Sequence, residues 1–520
     1  MALTDTRPET DAAPDAVAPA VVPSPLTIFG SGDHKAIGTF YVLAALVFAV
    51  GGAVATVLSS AHRLGSESFL SEVTAKTITE SAELGLVLLV LIPFFLGLAT
   101  YIVPLQVGAS TVAFPRAAAA AMWTWLLSSG VFVVSLFIGG GFDGDRAKSI
   151  DLTLLSLGGV VVALLIGTVC AVTTAITLRS PGMTLDRVPV FTFSILVAGS
   201  IWLLTLPVLL ANLLIIWVDH RYGGSASFAV TNLRSGQTSW LSHQPQVYAS
   251  IIPVLGIAAD VIATLTGARL ARRNLLLVAI GAFGVLSIGA WAQSALYPNF
   301  ADEFLWQAMG LLAILPVLMV LAGVAVAFKS GKPSLQSPLG LAVVSLVLVL
   351  LATLAGALLV VTPFELRADN QFAFGQFLLV VAAGLTGGIA GLGYWAPKMT
   401  GGRAIDSIGK LNVLVLLGAG VLSGLPWCIL GFSTRFSGID NARDALIVVS
   451  MIGSALLALG ALLAVASLLS GARKGAPEAG DNPWGTGQTL EWACSSPPPT
   501  GNFGDLAVVR SPEPLLDEEA

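Results

Sequence analysis

Charged side chains are scarce in this sequence. Lys, Arg, Asp and Glu make up 11% of the 520 residues, whereas hydrophobic residues make up 55%. Soluble domains contain about 25% charged residues, so the deficit excludes an ordinary soluble protein. The mean hydropathy of +0.87 predicts a polytopic membrane protein. The sequence contains no basic patch, and we therefore expect no nucleic-acid partner.

Cysteine and histidine are also rare. The chain has 3 cysteines and 4 histidines, and the cysteines are far apart and form no CxxC pair. This excludes a disulfide framework or a cysteine-rich metal centre. The cysteines Cys170 and Cys428 lie in apolar runs and are interpreted as core residues. The histidines are His34, His62, His220 and His243.

Residues 1–28 lack the basic start and apolar core of a cleaved signal peptide. They are rich in Ala, Pro and Asp, which is typical of a disordered tail. We predict that the first span acts as an uncleaved signal anchor. Residues 29–472 are then expected to form the membrane domain, and residues 473–520, which are polar and Pro-rich, a cytoplasmic C-terminal extension lying on it.

About twelve apolar runs are present, each near the ~20 residues that a helix needs to cross a bilayer. Inside lipid, each backbone group needs a partner within its own segment, which a helix provides. The predicted fold class is therefore an all-α polytopic membrane protein, a bundle of about twelve transmembrane helices. The predicted spans are 37–60, 82–107, 117–140, 152–178, 189–218, 245–268, 274–296, 304–328, 337–362, 371–396, 409–432 and 445–470.

The distribution of Lys and Arg predicts the orientation. Connections that alternate along the chain are richer in these residues on one side, as in RSPGMTLDR at 179–187 and KSGKPS at 329–334. Cytoplasmic loops carry the excess of Lys and Arg. We therefore predict a multi-pass protein of the cell membrane, surrounded by the lipid bilayer, with both termini in the cytoplasm.

Five stretches carry a family resemblance. They are SGDHKAIGTFY at 31–41, PFFLGLATYIVPLQVGASTVAFPR at 93–116, QPQVYASIIPVLG at 244–256, YWAPKMTG at 394–401 and NPWGTGQTLEWACSSPPPTGNF at 482–503. In this order and at this spacing they resemble subunit I of the heme-copper oxidases, the cytochrome c oxidase type. The resemblance implies a twelve-helix subunit of a respiratory membrane complex. It also implies partner subunits of the subunit II and III types.

In that family, the subunit holds two hemes and a copper ion through six histidines. Counted from the shared motifs, all six corresponding positions here carry other residues. The resemblance therefore implies loss of heme and copper binding, and we predict no cofactor, no metal site and no catalytic residue. The six positions are Ala82, Gln244, Gln293, Ser294, Gly375 and Phe377.

Positions of the family's proton path are changed as well. The acid two residues after the copper histidine corresponds to Gln246, while the family's tyrosine is retained as Tyr248. The histidine that is crosslinked to this tyrosine in the family corresponds to Gln244, which cannot form the bond. His243 points about 100° away around a helix from Gln244. It is therefore interpreted as an interfacial polar residue.

Polar residues within the spans form a candidate residual site, comprising Gln244, Gln246, Tyr248, Asp260 and Glu83. Buried ionisable groups in a bilayer are expensive and often functional. For Glu83 the alternative is a charge near a helix N-terminus at the outer surface. For Asp260 the alternatives are pairing with a polar neighbour and a proton or ligand site. Gln244, Gln246, Gln293 and Gln376 are candidates for a hydrogen-bonded network filling the emptied cavity.

These observations give three functional hypotheses. The first is a redox-inactive subunit I homologue that serves as a partner or assembly subunit of a respiratory complex. The second is an active oxidase that transfers electrons and pumps protons with altered ligands. The third is a protein that binds or carries a lipid, a quinone or a small solute in the vacated cavity.

Overall fold

The computed structural model of the chain describes most of the predicted membrane domain and the C-terminal extension. The described residues are 32–64, 70–142, 144, 146–222, 248–288, 300–361, 366, 370–433, 435–436, 438–504, 506 and 508–518. The predicted tail at 1–28 lies outside them. So do Gln244, Gln246, Gln293 and Ser294, together with His243.

The described part of the chain is built from helices joined by short connections. The first six are α1 (His34–His62), α2 (Glu72–Val107), α3 (Pro115–Phe137), α4 (Ala147–Thr177), α5 (Val190–Tyr222) and α6 (Ile252–Thr266). The next seven are α7 (Arg273–Leu286), α8 (Phe300–Leu312), α9 (Ile314–Ser330), α10 (Ser337–Val360), α11 (Asn370–Thr400), α12 (Asp406–Leu430) and α13 (Arg443–Ala472). A last short helix, α14, covers Pro514–Glu518.

Among the described residues, 10 helices are long and apolar enough to cross a membrane. The predicted fold class, an all-α polytopic membrane protein, is confirmed. The predicted sixth and seventh spans correspond to shorter apolar helices, Ile252–Thr266 and Arg273–Leu286, within the described part. The count of about twelve spans therefore stays a prediction. Helix α6 begins at Ile252, and the predicted start of the sixth span at 245 lies outside the described residues.

Helices α2 and α11 form the centre of the bundle. The most apolar window of α2 is 100% buried and that of α11 is 94% buried, against 33–67% for the other candidate spans. Helix α2 contains a π-helical turn at Leu86–Leu91. Small residues allow close packing here, since a Cβ on Gly388 of α11 would overlap the ring of Phe94 on α2.

The C-terminal segment, residues 473–518, is bonded to one end of the bundle. The Thr486 hydroxyl donates to the Thr264 carbonyl at 2.6 Å, and the Asn502 amide donates to the Ala109 carbonyl at 2.8 Å. The side chain of Lys398 on α11 donates to the Asp481 carbonyl at 2.9 Å. We call this end the covered face.

Candidate functional site

Asp260 lies inside the covered face and holds the start of another helix. Its Oδ1 accepts a hydrogen bond from the Val190 backbone amide at 3.1 Å, and its Oδ2 accepts one from the Phe191 amide at 3.0 Å. The first amides of a helix have no partner within the helix. Asp260 on α6 therefore supplies an N-terminal cap to α5, a helix that starts 70 residues earlier.

Gln106, in the last turn of α2, joins Asp260 to a second acid. Its Nε2 donates to Asp260 Oδ2 at 3.3 Å and to Glu491 Oε1 at 3.0 Å. Its Oε1 accepts from the Thr192 hydroxyl at 2.7 Å. All four side chains are buried. One amide nitrogen thus lies between two buried carboxyl groups, an arrangement we call the carboxyl pair.

Glu491 reaches the pair from the C-terminal segment, in a 3₁₀ turn at Leu490–Trp492. The residue is fully buried, and its Oε1 also accepts from the Trp395 indole at 3.3 Å. Its Oε2 is buried and has no hydrogen-bond partner among the described residues. Because burial penalises the charged form, the pKa of Glu491 is raised above its ordinary value.

Aromatic side chains pack beside the carboxyl pair. The Trp492 indole donates to the Tyr394 hydroxyl at 2.8 Å, and this hydroxyl is 2.8 Å from the Thr264 hydroxyl. Trp484 stacks on Tyr394 with an interplanar angle of 11°. The Lys398 ammonium lies 5.3 Å from the Trp492 ring centroid and donates to the Cys494 carbonyl. The C-terminal segment is therefore part of the site.

A small cavity adjoins the pair on the side of the C-terminal segment. Its lining includes Asp260, Thr264, Arg273, Gln488, Thr489 and Glu513. It offers room for about one water molecule. The Arg273 guanidinium, which donates to the Asp186 and Val188 carbonyls, is attracted to Asp260. Burial raises the pKa of Glu513 at the outer wall of the cavity.

Three of the six positions predicted to correspond to metal ligands lie in the described part. Ala82 is buried in α2, and Gly375 and Phe377 are buried in α11. A Cβ on Gly375 would lie 2.6 Å from the Cys428 backbone nitrogen and 2.7 Å from the Gly424 carbonyl oxygen. Real Cβ atoms do not approach so closely, so this position has no room for a side chain. The other three positions lie outside the described residues.

The alternative interpretation of Glu83, as a charge at a helix N-terminus, is wrong. Helix α2 begins at Glu72, with Ser71 as its cap, so Glu83 lies well inside the helix. The half-buried Arg63 is attracted to Glu83. The Arg63 guanidinium carbon also lies 4.9 Å from the Trp427 ring centroid and 5.5 Å from that of Phe374.

The predicted network of glutamines is described only at Gln376. Its side chain is hydrogen-bonded to the Tyr248 hydroxyl. Tyr248 is buried and makes an edge-on contact with Phe283, with ring centroids 5.4 Å apart. A Cβ on Gly356 would overlap both polar groups. Gln376 and Tyr248 thus form a closely packed pair in the bundle interior.

Of the predicted residual site, the structure places Asp260 in the carboxyl pair and Glu83 beside Arg63. Sequence reasoning missed Gln106 and Glu491. The signal for Glu491 was an acid flanked by Leu490 and Trp492 within a polar segment. Among the described residues, no group of three or more His, Cys, Asp or Glu side chains is placed to hold a metal ion.

Comparisons with known proteins match nearly the whole chain. The sequence model of the family "Cytochrome C and Quinol oxidase polypeptide I" matches residues 36–455. A probable cytochrome c oxidase subunit 1-alpha of Streptomyces avermitilis is 30% identical, over 93% of this chain and 88% of the relative. The cytochrome c oxidase subunit 1 of Corynebacterium glutamicum is 26% identical, over 93% of this chain and 87% of the relative.

Proposed function

This chain belongs to the cytochrome c and quinol oxidase polypeptide I family, and on that premise we propose that it is a non-catalytic member. In this proposal it keeps the helix bundle of subunit I, lacks its hemes and copper, and acts as a partner or assembly subunit of a respiratory complex. It is a multi-pass membrane protein. We further propose that both termini, and hence the covered face, lie in the cytoplasm.

The observation that carries the proposal is the chemistry at Ala82, Gly375 and Phe377. Heme iron and copper need nitrogen, sulfur or oxygen donors in a fixed geometry. The side chains here are a methyl group, a hydrogen atom and a phenyl ring, which have no donor atom. Gly375 also packs too closely against α12 to accept an imidazole. This chemistry supports the proposed loss of the family's cofactors.

The surroundings of these positions support the same proposal. Glu83 follows Ala82, Phe374 precedes Gly375, and both side chains interact with Arg63. A guanidinium that lies against two aromatic rings and beside an acid is stabilised by these contacts. It gives these helix faces a structural role that requires no metal ligand.

Heme and copper analysis of the full chain tests the proposal. The chain is purified in mild detergent from its native membranes, beside a catalytic subunit I treated identically. Pyridine hemochrome spectra and copper by mass spectrometry should show both cofactors in the catalytic subunit and substoichiometric amounts here. Stoichiometric heme with the spectrum of coordinated iron would instead support the active oxidase with altered ligands. A lipid or quinone that co-purifies, and is lost on Gln244→Leu, would support the binding protein.

A second experiment tests the partner role. Affinity-tagged chain should co-purify with other respiratory subunits, and deletion of its gene should lower the amount of assembled complex. Re-expression of the wild-type chain should restore that amount. A chain that purifies alone, and whose deletion leaves every respiratory complex at its normal level, would contradict the role as a partner or assembly subunit.

A further inference from the structure

Among the described residues, the two acids of the carboxyl pair differ in their hydrogen-bond donors and charged neighbours. Asp260 has donors for both oxygens, from Val190, Phe191 and Gln106, and is attracted to Arg273. Three donated hydrogen bonds and an arginine favour a carboxylate. Of the two acids, Asp260 therefore has the surroundings that favour the charged form more.

Glu491 has the opposite environment. Only its Oε1 accepts hydrogen bonds, from Gln106 and Trp395, while Oε2 is buried without a partner among the described residues. The Thr489 hydroxyl and the Glu491 backbone amide also favour the charged form, but neither makes a hydrogen bond of ordinary geometry to Oε2. A buried charge with one bare oxygen beside a second carboxylate is strongly disfavoured. A protonated Oε2 removes that charge.

We propose that Glu491 is a proton-binding site whose bound proton keeps the C-terminal segment fastened to the helix bundle, and whose release into water of the adjoining cavity loosens the segment. The ligand is a single proton, carried on Oε2 and passed to water beside Thr489. Thr489 lines the cavity and approaches the Glu491 carboxyl group. The site thus has both an acceptor atom and a route to water.

Other charged and titratable groups face the site from each neighbouring element. The Lys398 ammonium on α11 is attracted to Glu491, but it donates its hydrogen bonds to the Asp481 and Cys494 carbonyls. Arg273 compensates Asp260, and burial raises the pKa of the Cys494 thiol, which stays neutral. Among the residues that the structure describes, the groups facing the site are Asp260, Arg273, Tyr394 and Lys398 from the bundle, and Asp481, Cys494 and Glu513 from the C-terminal segment.

Closing of the C-terminal segment onto the bundle should weaken as the pH rises. When the segment opens, Glu491 enters water and returns to its ordinary pKa near 4.5. The closed state binds a proton that the open state releases, so closing weakens as pH rises above that value. The weakening reaches about tenfold per pH unit and levels off above the raised pKa of the closed state.

Infrared spectroscopy and hydrogen exchange on the full chain in detergent test this. At pH 7, the wild-type protein should show the C=O stretch of a buried carboxylic acid. This band should be absent from Glu491→Gln and present in Glu478→Gln, which changes an exposed acid of the same segment. Gln at 491 can keep both hydrogen bonds accepted by Oε1, so we expect this variant to fold.

Hydrogen exchange measures how firmly the C-terminal segment is held against the helix bundle. After correction for intrinsic exchange, protection of peptides covering 484–503 should fall with pH in the wild type and in Glu478→Gln. In the same peptides of Glu491→Gln the slope should be smaller than in the wild type but not zero, because Glu513, whose pKa burial also raises, still contributes to it. A carboxylic acid band that survives in Glu491→Gln, or wild-type protection that does not fall between pH 5 and pH 9, would overturn the proposal. A wild-type protein without this slope would overturn the proposal even if the variant does not fold.

Discussion

Asp260 and Phe191 are joined by a 3.0 Å hydrogen bond from the Phe191 backbone amide to the Asp260 carboxyl group. With the neighbouring bond from Val190, it attaches the start of α5 to the middle of α6. A second aspartate caps a helix in the same way. Asp406, at the start of α12, accepts from the Ser337 amide at 2.8 Å and so caps α10. The two caps differ in burial, because Asp260 is buried and Asp406 is 39% exposed.

Substitution of Asp260 should therefore destabilise the bundle more than substitution of Asp406. Asp260→Ala leaves two buried amides without a partner, and we expect a loss of about 3 kcal/mol in the free energy of unfolding. In Asp406→Ala the Ser337 amide can bond to solvent instead, so the free energy of unfolding should fall by less than about 1 kcal/mol. Thermal unfolding of both variants in the same detergent measures the difference. Equal losses would contradict the capping role of Asp260.

Arg63 provides a second prediction. Arg63→Ala removes the contacts with Trp427 and Phe374 and the attraction to Glu83. We expect destabilisation of about 1–2 kcal/mol, between the values of an exposed and a desolvated cation–π contact. Arg443→Ala is the matched control, since Arg443 is exposed and its charge repels Arg63. The control should unfold at the wild-type temperature or slightly above it, and a larger loss for Arg443→Ala would refute the assignment.

A third prediction concerns the contact between α2 and α11. A Cβ on Gly388 would overlap Phe94, so Gly388→Ala should destabilise the bundle by about 1–3 kcal/mol through overpacking. Gly130 on α3 is the control, because a Cβ there would meet no described atom within 4 Å. Gly130→Ala should be neutral or stabilising by up to about 1 kcal/mol. Adding Phe94→Leu to Gly388→Ala should recover part of the loss, and failure to do so would count against this contact.

Cysteine labelling tests the proposed orientation. The three native cysteines are buried, with exposures of 2%, 8% and 5% for Cys170, Cys428 and Cys494, so the background reaction should be low. A cysteine replacing the exposed Lys148 should react with a membrane-impermeant maleimide in intact cells. A cysteine replacing the exposed Lys474 should react only after permeabilisation. The reverse pattern would place both termini outside.

The sequence alone determined the membrane architecture, because apolar runs near the length of a bilayer-spanning helix leave a chain in lipid one way to satisfy its backbone. The prediction is untested at the start of the sixth span, because 245–247 lie outside the described residues. It failed at Glu83, since the polar residues before 82 continue α2 back to Glu72. A hydropathy boundary marks where lipid begins, whereas a helix can extend beyond the lipid.

The partners of Asp260 were decided by tertiary structure alone. Its position as a deep acid was evident in the sequence, but Gln106 and Glu491 lie 154 residues before it and 231 after it in the numbering. No local sequence pattern predicts contacts between residues so far apart in the chain. It depends on how α2, α6 and the C-terminal segment converge at the covered face. That convergence gives Asp260 three hydrogen-bond donors and a nearby arginine, and leaves one oxygen of Glu491 without a hydrogen-bond partner among the described residues. The reason is that only the folded chain determines which buried polar groups lie close enough to pair.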